Sequence, residues 1–324
     1  MMNACIVGYG AIGPVHAEAL SHIDNARLYA ICDIDQERAD TAAQKFGAVA
    51  YYDYDECIRD KNIDVIHICT PHYLHYEMIC KALENGKRVV AEKPAVMTAE
   101  EFDKLCKSYD LTKVFPILQN RTNTSITEFE KIIAQDNTLG ELKGIKGFVT
   151  WKRDADYYNS AEWRGTKEYE GGGVLINQAV HTLDLMVHFA GGAKSVFASC
   201  SNLSLQGVID VEDTVAARIN FKSGTTGIFF ATNAYYDSTP VMLELDFEKA
   251  HFRYADGKLF KNGELLVSDS SEYIGKSYWG NGHTKTIADY YSGNSKLSLA
   301  DIKDTMNLMF GIYESAEQGK EQKL

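Results

Sequence analysis

Over the first third of the chain, short apolar runs alternate with longer stretches of mixed polarity. The runs cover residues 4–7, 28–32, 65–69, 88–91 and 114–117. None alternates apolar with polar residues, as a strand with one wet face would. They read as strands buried on both faces, the pattern of a parallel sheet. Between them, residues 11–23, 36–46, 73–85 and 99–109 have helical length and periodicity. Gly86 supplies a C-terminal stop to one helix, and Thr98 with Glu101 three residues on is a capping box for the next. Strands alternating with helices predict right-handed crossovers and a doubly wound α/β sheet over residues 1–119.

Beyond residue 120 the texture changes. A helix is predicted over 125–134 and a strand over 143–150, followed by a polar, aromatic loop through Trp163. Residues 171–190 open with three glycines and continue as an apolar-periodic helix. Closely spaced runs of strand type follow at 195–200, 214–221, 225–232, 242–247 and 251–254. Turn signals such as Lys222-Ser223-Gly224 and Asp256-Gly257 separate them, which predicts a mostly antiparallel sheet. Helices over 283–292 and 299–318 end the chain. No repeat, low-complexity tract or Pro-rich linker interrupts it. A second α/β domain over 120–324 is therefore expected to pack directly on the first, its C-terminal helices being candidates to pack back on that domain.

Composition narrows the function classes. With 324 residues, 45% hydrophobic and 24% charged, the chain can bury a large core without metal or disulfide staples. Acidic residues outnumber basic ones, 45 to 33, and the net charge of -12 argues against nucleic-acid or anionic-membrane partners. The seven cysteines are odd in number and form no CxxC pair, so free thiols in a reducing cytoplasm are expected. No apolar stretch approaches the ~20 residues of a membrane span. The N-terminus opens directly on a strand, so no cleavable signal is expected.

Gly8-Tyr9-Gly10-Ala11-Ile12-Gly13 is a GxGxxG. The pattern is weak alone, but here it follows a strand and opens a helix at the start of a βαβ unit. Gly8 permits the tight turn, Gly10 lets the backbone approach a pyrophosphate, and Gly13 lets helix and strand pack closely. The helix N-terminus offers N–H groups and a positive dipole end to the phosphates. Asp33 ends the second strand, twenty residues past Gly13. A carboxylate there accepts hydrogen bonds from ribose hydroxyls and repels a 2′-phosphate, which selects NAD over NADP. Arg38 lies a helical turn further on, away from Asp33 on this reading.

Two further constellations carry chemistry. Glu92-Lys93-Pro94 follows the fourth major strand; in isolation it could equally be a plain loop start. In the run from Gly171-Gly172-Gly173 to Asp184, a helix starting near Val174 would put Asn177, His181 and Asp184 on one face at i, i+4 and i+7. A lone helical histidine is usually structural; polar groups stacked on an apolar helix are harder to dismiss. His72 and His75 have HxxH spacing, but no carboxylate or cysteine joins them as zinc would require, and no metal site is expected.

Together these pieces resemble the Gfo/Idh/MocA family of sugar and polyol oxidoreductases. The likeness runs through the GxGxxG, Thr70-Pro71-His72, the segment from Ala82 to Glu92-Lys93-Pro94, and the glycine-rich His-x-x-Asp helix. It implies a Rossmann domain followed by an α/β domain with a large open sheet, an active site in the cleft between them, and dimers or tetramers formed through the sheet's outer face. It assigns Lys93 and His181 to the catalytic pocket. Where relatives often carry a carboxylate, this chain has Asn177, which can position a hydroxyl but cannot take a proton. Cofactor contacts are expected from Gly8, Gly10, Ala11, Ile12, Gly13, Asp33, Thr70, Pro71, His72, His75, Glu92 and Lys93. Substrate contacts are expected from Asn120, Arg121, Trp163, Arg164, Asn177 and His181.

These residue types suit oxidation of a secondary alcohol. A histidine near its unperturbed pKa accepts the hydroxyl proton, and a lysine beside the same oxygen stabilises alkoxide charge while hydride leaves carbon for NAD. Two other readings use the same motifs. One is an NAD-dependent glycosidase or isomerase that oxidises a sugar only transiently; the other is a dinucleotide-binding redox sensor without turnover. The sensor would have no need of both Lys93 and His181.

Overall fold

The computed structural model describes residues 1–269, 282–295 and 297–324. They divide into two compact units, Met1–Gln119 with the described part of Ile274–Asp301, and Asn120–Tyr273 with Ile302–Leu324.

In the first unit the elements follow in the order β1 (Met2–Val7), α1 (Gly13–Leu20), β2 (Ala26–Cys32), α2 (Gln36–Phe46), β3 (Val49–Tyr51) and α3 (Tyr54–Arg59). Then come β4 (Val65–Ile68), α4 (His75–Glu84), β5 (Arg88–Ala91), α5 (Ala99–Ser108) and β6 (Val114–Pro116). The six strands pair in parallel in the order β3-β2-β1-β4-β5-β6. The order reverses between β1 and β4, the position at which doubly wound sheets bind ligands. Every residue of β4 is buried, as a strand covered on both faces must be. The expected capping box forms: Thr98 accepts from the Glu101 backbone N–H, and the Glu101 carboxylate accepts from that of Thr98.

The second unit begins with α6 (Thr124–Gln135), β7 (Leu142–Thr150) and two short helices, α7 (Ala155–Tyr158) and α8 (Lys167–Glu170). After a π-helical turn at Leu175–Ala179 come α9 (Val180–Ala190) and the strands β8 (Ala193–Ser201), β9 (Thr214–Phe221), β10 (Thr226–Thr232) and β11 (Met242–Phe247). They are followed by β12 (His251–Ala255), β13 (Lys258–Lys261) and β14 (Glu264–Ser268). The helix α10 (Gly282–Ser292) belongs to the first unit, and α11 (Lys303–Gln318) and β15 (Gln322–Lys323) return to the second. The nine-stranded sheet runs β14-β13-β12-β11-β7-β10-β9-β8-β15; all its pairs are antiparallel except β7 with β10. Its inner face packs on α9 and α11. A Cβ at Gly147 would stand 2.6 Å from Met186 Sδ, so glycine there lets α9 lie close to β7.

Candidate active site

The glycine turn has the geometry its sequence demands. Gly8 sits at φ +86°, and a Cβ on it would meet the Cys69 carbonyl at 2.9 Å. A Cβ on Gly13 would meet Gly8 O at 2.7 Å, whereas one on Gly10 would meet nothing within 4 Å. Gly8 and Gly13 thus close the turn, and Gly10 leaves backbone approachable from outside, which fits a pyrophosphate. Asp33 braces the same turn: Oδ2 accepts from Tyr9 N at 2.7 Å and Oδ1 from Asp35 N at 2.9 Å. Spacing alone sets Arg38 apart from this carboxylate, but the first turn of α2 carries it back. Arg38 Nη1 lies 3.2 and 3.3 Å from the two Asp33 oxygens, and Nη2 is 3.0 Å from Asp35 Oδ2. An arginine therefore does stand beside Asp33, the residue expected to meet the ribose, with its side chain about half exposed.

Lys93 follows β5, half-buried, joined to Pro94 by a cis peptide. Glu92 and His75, expected at the cofactor, are both buried and hydrogen-bonded within the protein. His75 is wholly buried, with Nδ1 2.7 Å from Pro94 O and Nε2 2.8 Å from Thr70 O. Both ring nitrogens face backbone carbonyls, so the side chain ties the Thr70-Pro71-His72 loop to the loop carrying Lys93. Burial lowers the His75 pKa, against those two contacts, which raise it.

Glu92 is buried too, and its Oε1 accepts from His16 Nε2 and His283 Nε2, each at 2.9 Å. His16 Nδ1 lies 2.8 Å from His67 Nδ1, and His67 Nε2 lies 2.7 Å from the Tyr291 hydroxyl. One proton order satisfies the whole chain: Tyr291 donates to His67, His67 to His16, and His16 to the carboxylate. Burial pushes the Glu92 carboxyl up, but the hydrogen bonds from His16 and His283 prevail and hold it well below its ordinary value. Burial drives His16 and His67 down. Among the described residues, His16, Glu92 and His283 are the set whose possible metal-ligating atoms gather within 4.8 Å. Hydrogen bonds among the three already account for that convergence.

In the second unit the run opens with a π-helical turn at Leu175–Ala179, which carries Asn177 and leads into α9 with His181 and Asp184. His181 is half-buried. Asp184 is buried and grips Arg121, with Nε at 2.7 Å and Nη2 at 2.6 Å, and it also accepts from Thr305 at 2.9 Å. Arg121, expected at the substrate, therefore commits this bidentate fork to anchoring α9. Asn120 is half-buried in the turn Gln119–Thr122.

Arg164 donates to the Tyr157 hydroxyl at 2.6 Å and lies over the rings of Tyr157 and Trp163, at 4.6 and 4.9 Å from their centroids. Tyr157 is also reached by Gln178 at 3.2 Å, and Gln178 accepts from Asn233 at 3.2 Å. Two buried carboxylates absent from the sequence reading organise the glycine run. Glu212 accepts from Gly173 N, Leu175 N and the Tyr313 hydroxyl, and Glu170 accepts from Gly165 N and Asn177 Nδ2. Neither had a motif to reveal it. A groove of about 430 Å³ lined by Phe148, Thr150, Met242, Arg253 and Phe260 lies on the sheet and includes none of the expected site residues.

A parallel sheet with a glycine-lined turn at its reversal point and a carboxylate at the end of β2 defines a dinucleotide-binding oxidoreductase unit. A profile described as the oxidoreductase family, NAD-binding Rossmann fold, matches residues 2–115, and the GFO/IDH/MocA C-terminal domain matches residues 130–253. The chain belongs to the Gfo/Idh/MocA family. It is 27% identical to myo-inositol 2-dehydrogenase of Thermotoga maritima over 70% of this chain and 67% of that protein. It is 26% identical to D-glucoside 3-dehydrogenase of Escherichia coli over 98% and 96%. The crystal structure of the WlbA dehydrogenase from Bordetella pertussis, in complex with NADH and UDP-GlcNAcA, matches with TM-score 0.84 and 26% identity. That match covers all of this chain and 98% of the other.

Proposed function

We propose that the protein is an NAD-dependent dehydrogenase or reductase acting on a secondary alcohol or ketone of a sugar, a polyol or a sugar derivative. The glycine turn braced by Asp33 carries this reading, and the relatives named for inositol and glucoside dehydrogenation support the substrate class. Bound at the turn, NAD supplies the hydride acceptor at its nicotinamide ring. His181 takes the hydroxyl proton in oxidation and returns it in reduction. The Lys93 ammonium stabilises negative charge on the same oxygen. Asn177 positions a substrate hydroxyl, and Arg164 with Trp163 offers a planar donor beside an aromatic face.

A panel of sugars, inositols and nucleotide sugars assayed with NAD at the NADH absorbance band tests the reading. Lys93→Ala and His181→Ala should each lower kcat by at least 100-fold, on the order expected for acid–base catalysis, with NAD affinity retained. Full activity in both variants refutes the assigned roles.

Assembly and location complete the proposal. Phe197, Arg218, Ile228, Lys146 and Glu244 form a row of facing residues across β8, β9, β10, β7 and β11. Phe197 and Ile228 are more than 40% exposed. This apolar and charged row suits contact with a second copy, and light scattering of Ile228→Lys should show a smaller species than the wild type. All seven cysteines are free, as suits a reducing cytoplasm. No helix among the described residues is long and apolar enough to cross a membrane.

A further inference from the structure

The glycine run places a carboxylate behind Asn177 that the sequence motif does not contain. Glu170 closes α8, and Gly171 then turns the chain at φ +85°. A Cβ at Gly172 would overlap the Tyr313 ring hydroxyl, and one at Gly173 would overlap the Glu212 carbonyl oxygen. The chain therefore doubles back tightly enough for residue 170 to meet residue 177. Asn177 Nδ2 donates to Glu170 Oε1, and Glu170 Oε2 accepts from Gly165 N. Glu170 is 1% exposed and Asn177 8%. A carboxylate out of water is tolerated where N–H donors replace its hydration, and here an amide and a backbone N–H do so.

The pairing dictates how Asn177 is oriented. A carboxylate offers only acceptors, so it accommodates the NH2 side of a carboxamide and repels the oxygen side. Turning the amide over would leave two acceptors in contact, which disfavours the flipped form by roughly 5- to 150-fold. We propose that Glu170 is a positioning residue for Asn177, fixing the carboxamide so that Oδ1 is the atom presented to a substrate hydroxyl. The inference rests on the reading above in which Asn177 contacts substrate. Charge and contact, which one aspartate would combine, are then divided between two residues: Glu170 holds the charge and Asn177 the acceptor. The group met at this point must be an O–H donor, so a deoxy or keto analogue at that carbon loses the contact.

Three variants test the pair: Glu170→Gln, Asn177→Asp, and the double exchange that moves the carboxylate to position 177 and an amide to 170. Glu170→Gln removes the charge that opposes the flipped amide, and kcat/KM for the sugar should fall roughly 5- to 150-fold with the Kd for NADH unchanged. Asn177→Asp sets two carboxylates in contact, so one holds its proton and kcat acquires an added ionisation in its pH profile. The double exchange restores one donor and one carboxylate, removes that ionisation and recovers most of kcat. A Glu170→Gln enzyme within twofold of wild type, or a double variant no better than Asn177→Asp, overturns the proposal. Carbon-13 carboxyl titration of Asn177→Asp reads the contact without turnover: one carboxyl raised by two or more pH units supports it, and two ordinary titrations overturn it. If no sugar is oxidised by the wild type, the proposed function fails separately and this titration still decides the pair. Should Glu170→Gln not fold, the pH profile and titration of Asn177→Asp serve instead.

Discussion

Replacing Asp33 by serine changes what the cofactor site can distinguish, and the structure sets the size of the effect. The Asp33 carboxylate accepts from two backbone N–H groups, Tyr9 and Asp35, and lies 3.2 Å from Arg38 Nη1. A serine oxygen can still accept from one of those amides, so the turn survives while the negative charge is lost. A hydrogen bond from a ribose hydroxyl to a charged group is worth about 1.5–3 kcal/mol, so NADH should bind roughly 10- to 150-fold more weakly. NADPH should respond in the opposite direction. The anion that repels its 2′-phosphate is gone, and Arg38, still held by Asp35 at 3.0 Å, is left as a partner for it. Calorimetric titration of wild type and variant with NADH and NADPH at one ionic strength gives the ratio of the two affinities. That ratio should move toward NADPH by at least tenfold, and the gain should shrink as salt is added. A change below threefold, or equal binding of both cofactors by the wild type, refutes the role assigned to Asp33 and Arg38.

Other expectations follow from buried groups. Arg121→Met leaves Asp184 buried with Thr305 as its remaining described side-chain partner, and should cost about 3–5 kcal/mol in urea unfolding. A loss under 1 kcal/mol refutes the anchoring role. Burial lowers the pKa of His16, His67 and His75, so below about pH 6.5 the unfolded chain binds protons that the folded chain refuses. Their contribution is fully present above that pH and declines as pH falls, by up to about 1.4 kcal/mol per pH unit for each group. Glu92, held below its ordinary value, adds a second loss below about pH 4.5. A Tm unchanged between pH 7.5 and 5.5 contradicts this account. Gly10→Ala should leave the Tm within a degree or two and weaken NAD binding, because its Cβ meets no protein atom. Gly173→Ala should unfold or precipitate the protein, because its Cβ would overlap backbone.

The hydrophobic pattern located the parallel strands because each is buried on both faces and reads as an unbroken run. It passed over β3 and α3, since Val49–Tyr51 is a three-residue edge strand with partly exposed side chains. The cofactor turn was legible because its glycines fall in one six-residue window between a strand and a helix. The substrate side was less so. A helical wheel assumes 3.6 residues per turn throughout, and the π-helical turn at Leu175–Ala179 departs from that spacing just ahead of His181. Glu92 lies beside the motif lysine in sequence and His75 reaches its loop from eighteen residues away, and the partners of both come from tertiary structure. His283 is 191 residues from Glu92, and no spacing rule reaches that far. Arg38 was misjudged in the other direction, because one helical turn brings its long side chain back over Asp33.

The histidine chain that ends on Glu92 also fixes an order of events during synthesis. Its two final members, His283 and Tyr291, lie on α10, whose Ile287 and Tyr291 belong to the same core as Ala4, Ile6 and Leu20. When β6 leaves the ribosome, the six-stranded sheet is complete in sequence but α1 has no helix to cover it. At 5–20 residues per second the missing piece arrives roughly ten to thirty seconds later, after most of the second unit has emerged. The nascent cofactor unit waits through that interval with His16 and its apolar neighbours uncovered. A gene fragment ending at residue 119 would be held in that unfinished state permanently. Any attempt to express, graft or permute the NAD-binding half must carry α10 with it.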